Sequence, residues 1–318
     1  MTAYIGHDAN MRSFVAALEA ERLHHGWILA GPRGLGKASF ASAAARKLVD
    51  PDARFSSMID NGSHPDIITV RRLPKEAAKE GEEADPDAEL KRSISVDQIR
   101  AVQSKLTTRP GIADKRAIII DAADDMERGG ANALLKSLEE PPIGTYFFLV
   151  SHASDRLLPT IRSRCQILRF DPLSDTDMEQ ALRSADANIS ETDLHALVAA
   201  GGGSPGQALE FVGLDLGELE NAIAAIIETG DRSNKMRGGL ADKLALKAAQ
   251  PRYEAFLRRV PQLIAEHARR RHTGTAMQAV NAYQEANSLA ARAIALTLDK
   301  QSVVFQMGSL LASLQAHK

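Results

Sequence analysis

The chain has 318 residues, 44% of them hydrophobic, which is enough for two or three domains around a substantial core. Its 39 basic and 41 acidic side chains leave a formal charge of −2, so total charge gives no nucleic-acid signal, and no apolar run is long enough to cross a bilayer. A single cysteine, Cys165, excludes a disulfide within the chain and any cysteine-based zinc site, and with no charged-then-apolar signal segment the expected location is the cytoplasm.

In chain order, the first half alternates helical stretches with short apolar runs, the pattern of an α/β domain with a largely parallel sheet. Met1 to Leu23 mixes polar and apolar residues at helical spacing, and strands are expected at Gly26–Ala30, Asp66–Val70, Ala117–Asp121, Tyr146–Ser151 and Cys165–Phe170. Several of these are continuous apolar runs, as strands covered on both faces require. Lys37 to Val49, rich in alanine, reads as a helix. From Leu73 to Arg92 there is almost no large apolar residue, so this stretch, acidic over Lys75 to Glu89, reads as a solvated loop. After Asp171-Pro172 the periodicity is helical throughout: residues 173–213 read as a small helical lid carrying the turn Gly201–Gly206, and 214–318 as a bundle of four or five amphipathic helices.

Between the first strand and the first long helix lies Gly31-Pro32-Arg33-Gly34-Leu35-Gly36-Lys37-Ala38. In the phosphate-loop pattern that this follows, backbone N–H groups curl around phosphate oxygens, the lysine neutralises charge, and a final Ser or Thr hydroxyl holds Mg²⁺. Ala38 has no oxygen to offer, and Ser39 is turned by roughly 100° around the helix. Asp121 ends an apolar strand where phosphate-loop NTPases place a carboxylate that organises Mg²⁺. The next position, a water-polarising glutamate in many ATPases, is Ala122; Asp124 and Asp125 fall in the following turn. Loss of one water-activating group usually costs a factor of about 10² or more in turnover. Gly31, Gly34, Gly36, Lys37 and Asp121 are therefore candidate residues of a degenerate nucleotide site, with ATP or ADP binding at most vestigial and no metal site.

Three further segments carry a resemblance. Ala131-Asn132-Ala133-Leu134-Leu135-Lys136-Ser137-Leu138-Glu139-Glu140-Pro141-Pro142, the strand Tyr146–Ser151, and Ile161-Arg162-Ser163-Arg164-Cys165 resemble the clamp-loader branch of the AAA+ superfamily. Ser63-His64-Pro65-Asp66, Ile94 to Val102 and Gly203-Ser204-Pro205-Gly206-Gln207-Ala208-Leu209 narrow it to delta-prime-like members. The resemblance runs from about Gly6 to Val212 and continues as architecture to the C-terminus.

That resemblance implies an AAA+ P-loop domain with a parallel sheet over 1–172, a small helical lid over 173–213 and an all-α collar over 214–318. It implies a non-hydrolysing stator of the bacterial DNA polymerase III clamp loader, which places a sliding clamp on primer–template DNA during replication. The partners implied are ATPase subunits of gamma/tau type and a delta subunit, with the clamp and DNA reached through the complex, and no membrane. Arg164 is implied to be an arginine finger acting on the neighbouring subunit's ATP, a contact that can be worth about 10³ to 10⁵ in rate. Gly206 stands where ATPase members carry a second-sensor arginine, and Ser151 stands at the first sensor position. The four-cysteine zinc module of many relatives has no counterpart, so no zinc is expected. The rival reading is an active DNA-dependent AAA+ ATPase with a metal site rebuilt from Ser39 and Asp124; an adaptor outside replication is a third.

Other features have plainer readings. His24 and His25, entering a strand, are expected to point to opposite faces and to support packing. Cys165 reads as a buried small hydrophobe. Arg258, Arg259, Arg269, Arg270 and Arg271 could meet DNA phosphates, although helical charge runs are usually solvated faces or subunit contacts. The stripe of Val303, Val304, Met307, Leu310, Leu311 and Leu314 fits either a subunit interface or intrachain core.

Overall fold

The computed structural model describes residues 4–76, 88–269 and 276–315. The acidic stretch therefore lies largely outside the described residues, as do Arg270 and Arg271. The described chain divides into two compact units, one of residues 1–185 with 203–206 and one of 186–202 with 207–318.

The first unit is built in the order α1 (Asp8–Glu19), β1 (Gly26–Ala30), α2 (Lys37–Val49), α3 (Ser56–Asp60), β2 (Ile67–Arg71), α4 (Val96–Lys105), β3 (Arg116–Asp121), α5 (Arg128–Glu139), β4 (Thr145–Ser151), α6 (Pro159–Arg162), β5 (Gln166–Arg169) and α7 (Asp175–Ala185). All strand pairings are parallel, in the order β2-β3-β4-β1-β5. This is the α/β P-loop architecture expected, and each strand falls within a residue or two of the apolar run that announced it.

Burial explains those runs. Side chains alternate across a strand, so Ile28, Ile118, Ile120, Phe147 and Leu149 face α4 and α5, while Trp27, Leu29, Ile119, Phe148 and Val150 face α2. The three central strands are therefore apolar along their middles, with polar residues only at the ends of β3 and β4, as a sheet covered on both faces demands. The edge strands β2 and β5 are only partly buried and carry exposed Thr69, Arg71 and Arg169. Helix α2 lays Phe40, Ala41, Ala44, Ala45 and Leu48 on the sheet, and its small residues bring the backbone close.

Asp66, immediately before β2, anchors this unit. It is fully buried and accepts from the backbone N–H groups of Gly111 (2.6 Å), Ile112 (2.9 Å) and Ala113 (3.0 Å), with the Arg116 guanidinium 3.5 Å away. Arg116 in turn donates to the carbonyls of Lys105, Thr108 and Arg109. Burial alone would raise the Asp66 pKa, but the three N–H donors and Arg116 outweigh it and hold the carboxyl below its usual range.

The second unit is entirely helical among its described residues: α8 (Glu191–Gly201), α9 (Pro205–Leu209, begun in the first unit), α10 (Leu216–Thr229), α11 (Lys235–Ala245), α12 (Gln250–Arg269), α13 (Ala276–Ala295) and α14 (Lys300–Ala312). Val303, Val304, Met307, Leu311 and Leu314 are buried within it, which assigns most of the C-terminal stripe to intrachain core. The arginine cluster is spent on internal pairs at two positions. Arg259 is buried between Glu220 (2.5 Å) and Glu266 (2.7 Å), and Arg258 pairs with Glu210 while its guanidinium lies 5.2 Å from the Phe211 ring centre.

The histidine expectation needs correcting. His24 and His25 do not diverge; their rings stack 4.4 Å apart. They precede β1 rather than belong to it, so strand alternation does not apply. His25 Nε2 lies 2.9 Å from the Leu138 carbonyl and His24 bonds the backbone of Gly26, so both brace the entry to β1.

Candidate functional site

The phosphate loop leaves β1 at Ala30 and enters α2 at Lys37. Gly34 and Gly36 have φ of 84° and 75°, a left-handed backbone that side chains disfavour, which is why glycine stands at both. Every carbonyl from Gly31 to Leu35 is accepting a hydrogen bond. Lys37 Nζ donates to Gly31 O at 2.6 Å and to Pro32 O; Ser204 Oγ donates to Arg33 O at 2.9 Å; Gly206 N donates to Gly34 O at 2.9 Å; His7 Nε2 lies 3.2 Å from Leu35 O. No acceptor serves the N–H groups of Gly34, Leu35 and Gly36 among the described residues. The loop thus keeps its amide nest, the part that cradles an anion, and is braced from behind.

Lys37 is buried, and its ammonium is turned onto the carbonyls of the loop that it follows. Burial lowers its pKa to about 8, with Asp121 and Asp124 pulling it partly back, so it remains mostly charged at neutral pH.

Gly206 is fixed by contact rather than by dihedral angle. A Cβ built there would sit 2.6 Å from Gly34 Cα and 3.1 Å from Gly34 O, so the turn Gly203–Gly206 rests backbone-to-backbone on the phosphate loop. A larger residue at position 206 cannot coexist with this docking.

Asp121 ends β3 with a pKa raised mainly by burial, which His152, Lys37 and Arg71 partly offset. It shares with Ala38 and Ser39 a cavity of about 590 Å³, also lined by His64, Thr69 and Arg71. At position 38 the lining lacks the hydroxyl that the motif offers to Mg²⁺. Ala38 presents a methyl group, and no cluster of three His, Cys, Asp or Glu side chains among the described residues could hold a metal. Asp124, the acid that the rival reading recruits, is spent elsewhere: it accepts from Ser151 Oγ at 2.8 Å and from the backbone N–H groups of His152 and Ala153. Asp125 pairs with Arg72 at 3.1 Å. Ser151 is fully buried.

Arg164 stands apart from the loop, at the junction of α6 and β5. Its Nη1 donates to Thr160 O (2.9 Å) and to Ser163 Oγ (3.2 Å), and its Nη2 lies 2.6 Å from Glu139 Oε1 at the end of α5. Neighbouring Cys165 is half-buried, its thiol pKa pushed up to about 12 by burial, which makes it inert rather than nucleophilic.

The structure therefore brings Gly31, Gly34, Gly36, Lys37 and Asp121 to one end of the sheet and leaves Arg164 at a separate position. Sequence reasoning missed Asp124 as the partner of Ser151 and Glu139 as the partner of Arg164. The second had a signal: an acid closing a helix, where the dipole disfavours negative charge.

The chain is similar in sequence to known proteins. The family profile described as DNA polymerase III, delta subunit matches residues 6–174. The DNA polymerase III subunit delta' of Pseudomonas aeruginosa is 32% identical over 192 residues, 57% of this chain and 53% of that protein. The subunit delta' of Escherichia coli is 29% identical over 235 residues, 70% of this chain and 66% of that protein. The chain thus spans between half and two thirds of the length of these relatives. A solved DNA polymerase III gamma subunit-related protein of Thermotoga maritima covers 95% of this chain and 99% of its own, at 14% identity and a TM-score of 0.49.

Proposed function

The chain belongs to the DNA polymerase III delta-subunit family, beside bacterial delta-prime subunits, and from that premise we propose that it is a non-hydrolysing stator of the clamp loader. In this role it presents Arg164 to the ATP of a neighbouring gamma/tau-type subunit, assembles also with a delta subunit, and acts in the cytoplasm. The sliding clamp and primer–template DNA are reached through the complex. The division into a P-loop domain (1–172), a lid (173–213) and a collar (214–318) is part of the same reading.

The observation that carries the non-hydrolysing part is the fate of the groups that hydrolysis needs. A methyl group at Ala38 replaces the metal-binding hydroxyl, Ala122 replaces the water-polarising acid, and Asp124, the nearest substitute, is engaged by Ser151 and two backbone amides. The free amides of the loop support vestigial binding of ATP or ADP, without a requirement for either. The absence of the cysteines of a zinc module supports a zinc-free subunit.

The test is to assay the isolated chain for Mg²⁺-dependent ATP hydrolysis and, separately, for co-elution with gamma/tau-type ATPase subunits at micromolar concentration. The stator reading predicts background turnover and a stable complex. Turnover that Lys37→Ala abolishes would establish the ATPase reading instead, and failure to associate would end the clamp-loader assignment.

A further inference from the structure

Arg164 does not hang free. Of its donors, Nη1 is committed to Thr160 O and Ser163 Oγ, Nη2 faces Glu139 at 2.6 Å, and Nε–H has no partner among the described residues. The side chain is nonetheless 32% exposed, so with Nε–H unclaimed the guanidinium keeps an open donor edge beyond the contacts that hold it. An arginine serves a transferring phosphoryl group well only if its planar fork arrives already oriented.

The support beneath this geometry is stiff. Glu139 is the last residue of α5, directly after Leu138, which is 1% exposed and packs in the core. The Leu138 carbonyl is met by His25. On the other side, the start of β1 lies so close that a Cβ at Gly26 would sit 2.9 Å from Cys165 Sγ and 3.3 Å from Arg164 O. Both members of the pair are thus mounted on elements fixed by the same core. Glu139 and Glu140 close α5 with two acids at the negative end of its dipole, a placement that weakens an isolated helix.

We propose that Glu139 is a positioning residue for Arg164: its carboxylate fixes the guanidinium so that the open edge is presented to the phosphoryl group of a neighbouring subunit's nucleotide. This inference rests on the trans-acting reading of Arg164. It assigns a role to the Leu138-Glu139-Glu140-Pro141 segment, coupling it to Ser163-Arg164-Cys165 through one ion pair.

The experiment uses the assembled clamp loader, with assembly checked by gel filtration and thermal stability checked for each variant. Primer–template-stimulated ATP hydrolysis is measured for wild type, Glu139→Gln, Glu139→Asp, Arg164→Ala and the double variant Glu139→Gln/Arg164→Ala. Misplacing a catalytic group by about 1 Å can cost on the order of 10² in rate, and a finger still held by Thr160 and Ser163 loses less. Glu139→Gln is expected to lower kcat about tenfold with KM unchanged, Glu139→Asp to recover part of the loss, and the double variant to be no slower than Arg164→Ala alone. Glu139→Gln with wild-type or raised kcat, while Arg164→Ala is slow, would overturn the positioning role and leave the finger intact. An additive double variant would overturn it too, because Glu139 would then act independently of Arg164. Unchanged turnover in Arg164→Ala would remove the finger itself, a failure separate from either of these.

Discussion

Replacing Gly206 with alanine isolates the docking of the Gly203–Gly206 turn on the phosphate loop. The new methyl carbon would lie 2.6 Å from Gly34 Cα and 3.1 Å from Gly34 O, backbone atoms that no side-chain rotation can clear. The turn must lift, and it is held by two hydrogen bonds, Gly206 N to Gly34 O and Ser204 Oγ to Arg33 O, each 2.9 Å. Each is worth about 1 kcal/mol net, and forcing a methyl into a packed site costs about 1–3 kcal/mol, so a loss of about 3–5 kcal/mol is expected. Gly202→Ala is the control. That residue has φ of 53° and nothing within 4 Å of a built Cβ, so it reports backbone strain alone, about 1 kcal/mol. Urea unfolding followed by fluorescence of Trp27, the single tryptophan, buried in β1 of the unit that holds Gly206, measures the first variant, and far-UV circular dichroism, which sees the helices of the unit that holds Gly202, measures the control. A Gly206→Ala variant within 0.5 kcal/mol of wild type, or no worse than Gly202→Ala, would refute the docking.

Two further predictions concern buried ionisable groups. Asp66→Asn leaves Arg116 without its buried anion and is expected to cost about 3–5 kcal/mol in urea unfolding; a loss below about 1 kcal/mol would contradict the anchoring role. Because the folded-state pKa of Asp66 is depressed, its contribution is fully present above the unfolded value of about 3.9 and disappears as pH falls through the folded value. The acid limb of the stability profile should therefore be shallower in Asp66→Asn than in wild type. Cys165, with its pKa pushed up to about 12, is expected to react with an aromatic disulfide reagent at pH 8 far more slowly than a free thiol and to speed up only on unfolding.

The sheet was legible because its physics is local. Gly26–Ala30 and Ala117–Ile120 are continuous apolar runs, as a strand buried on both faces requires. The phosphate loop was legible for the same reason, since its glycines are demanded by dihedral angles within the loop. What stayed hidden depends on partners far along the chain. Nothing near Asp124 announces that its carboxylate will cap the end of β4 at Ser151, and nothing near Gly206 announces Gly34 across 172 residues. Lys37 is placed by its motif, but its hydrogen bonds to the carbonyls of Gly31 and Pro32 are announced by no pattern. His24 and His25 were misjudged by extending strand alternation one residue too far. The strongest site residue in the resemblance, Arg164, was named from its motif, but its partner Glu139 emerged only from the packing of α5 against α6.

The claim at the centre of this account is that the chain contributes to catalysis in trans while hydrolysing nothing itself. It is tested most directly by single-turnover ATP hydrolysis in the assembled clamp loader carrying Arg164→Ala, with assembly verified. Removal of a finger is expected to lower turnover at one partner site by a factor of about 10³ or more and leave the other sites unaffected. Wild-type turnover at every site would contradict the account and reduce Arg164 to the internal partner of Glu139.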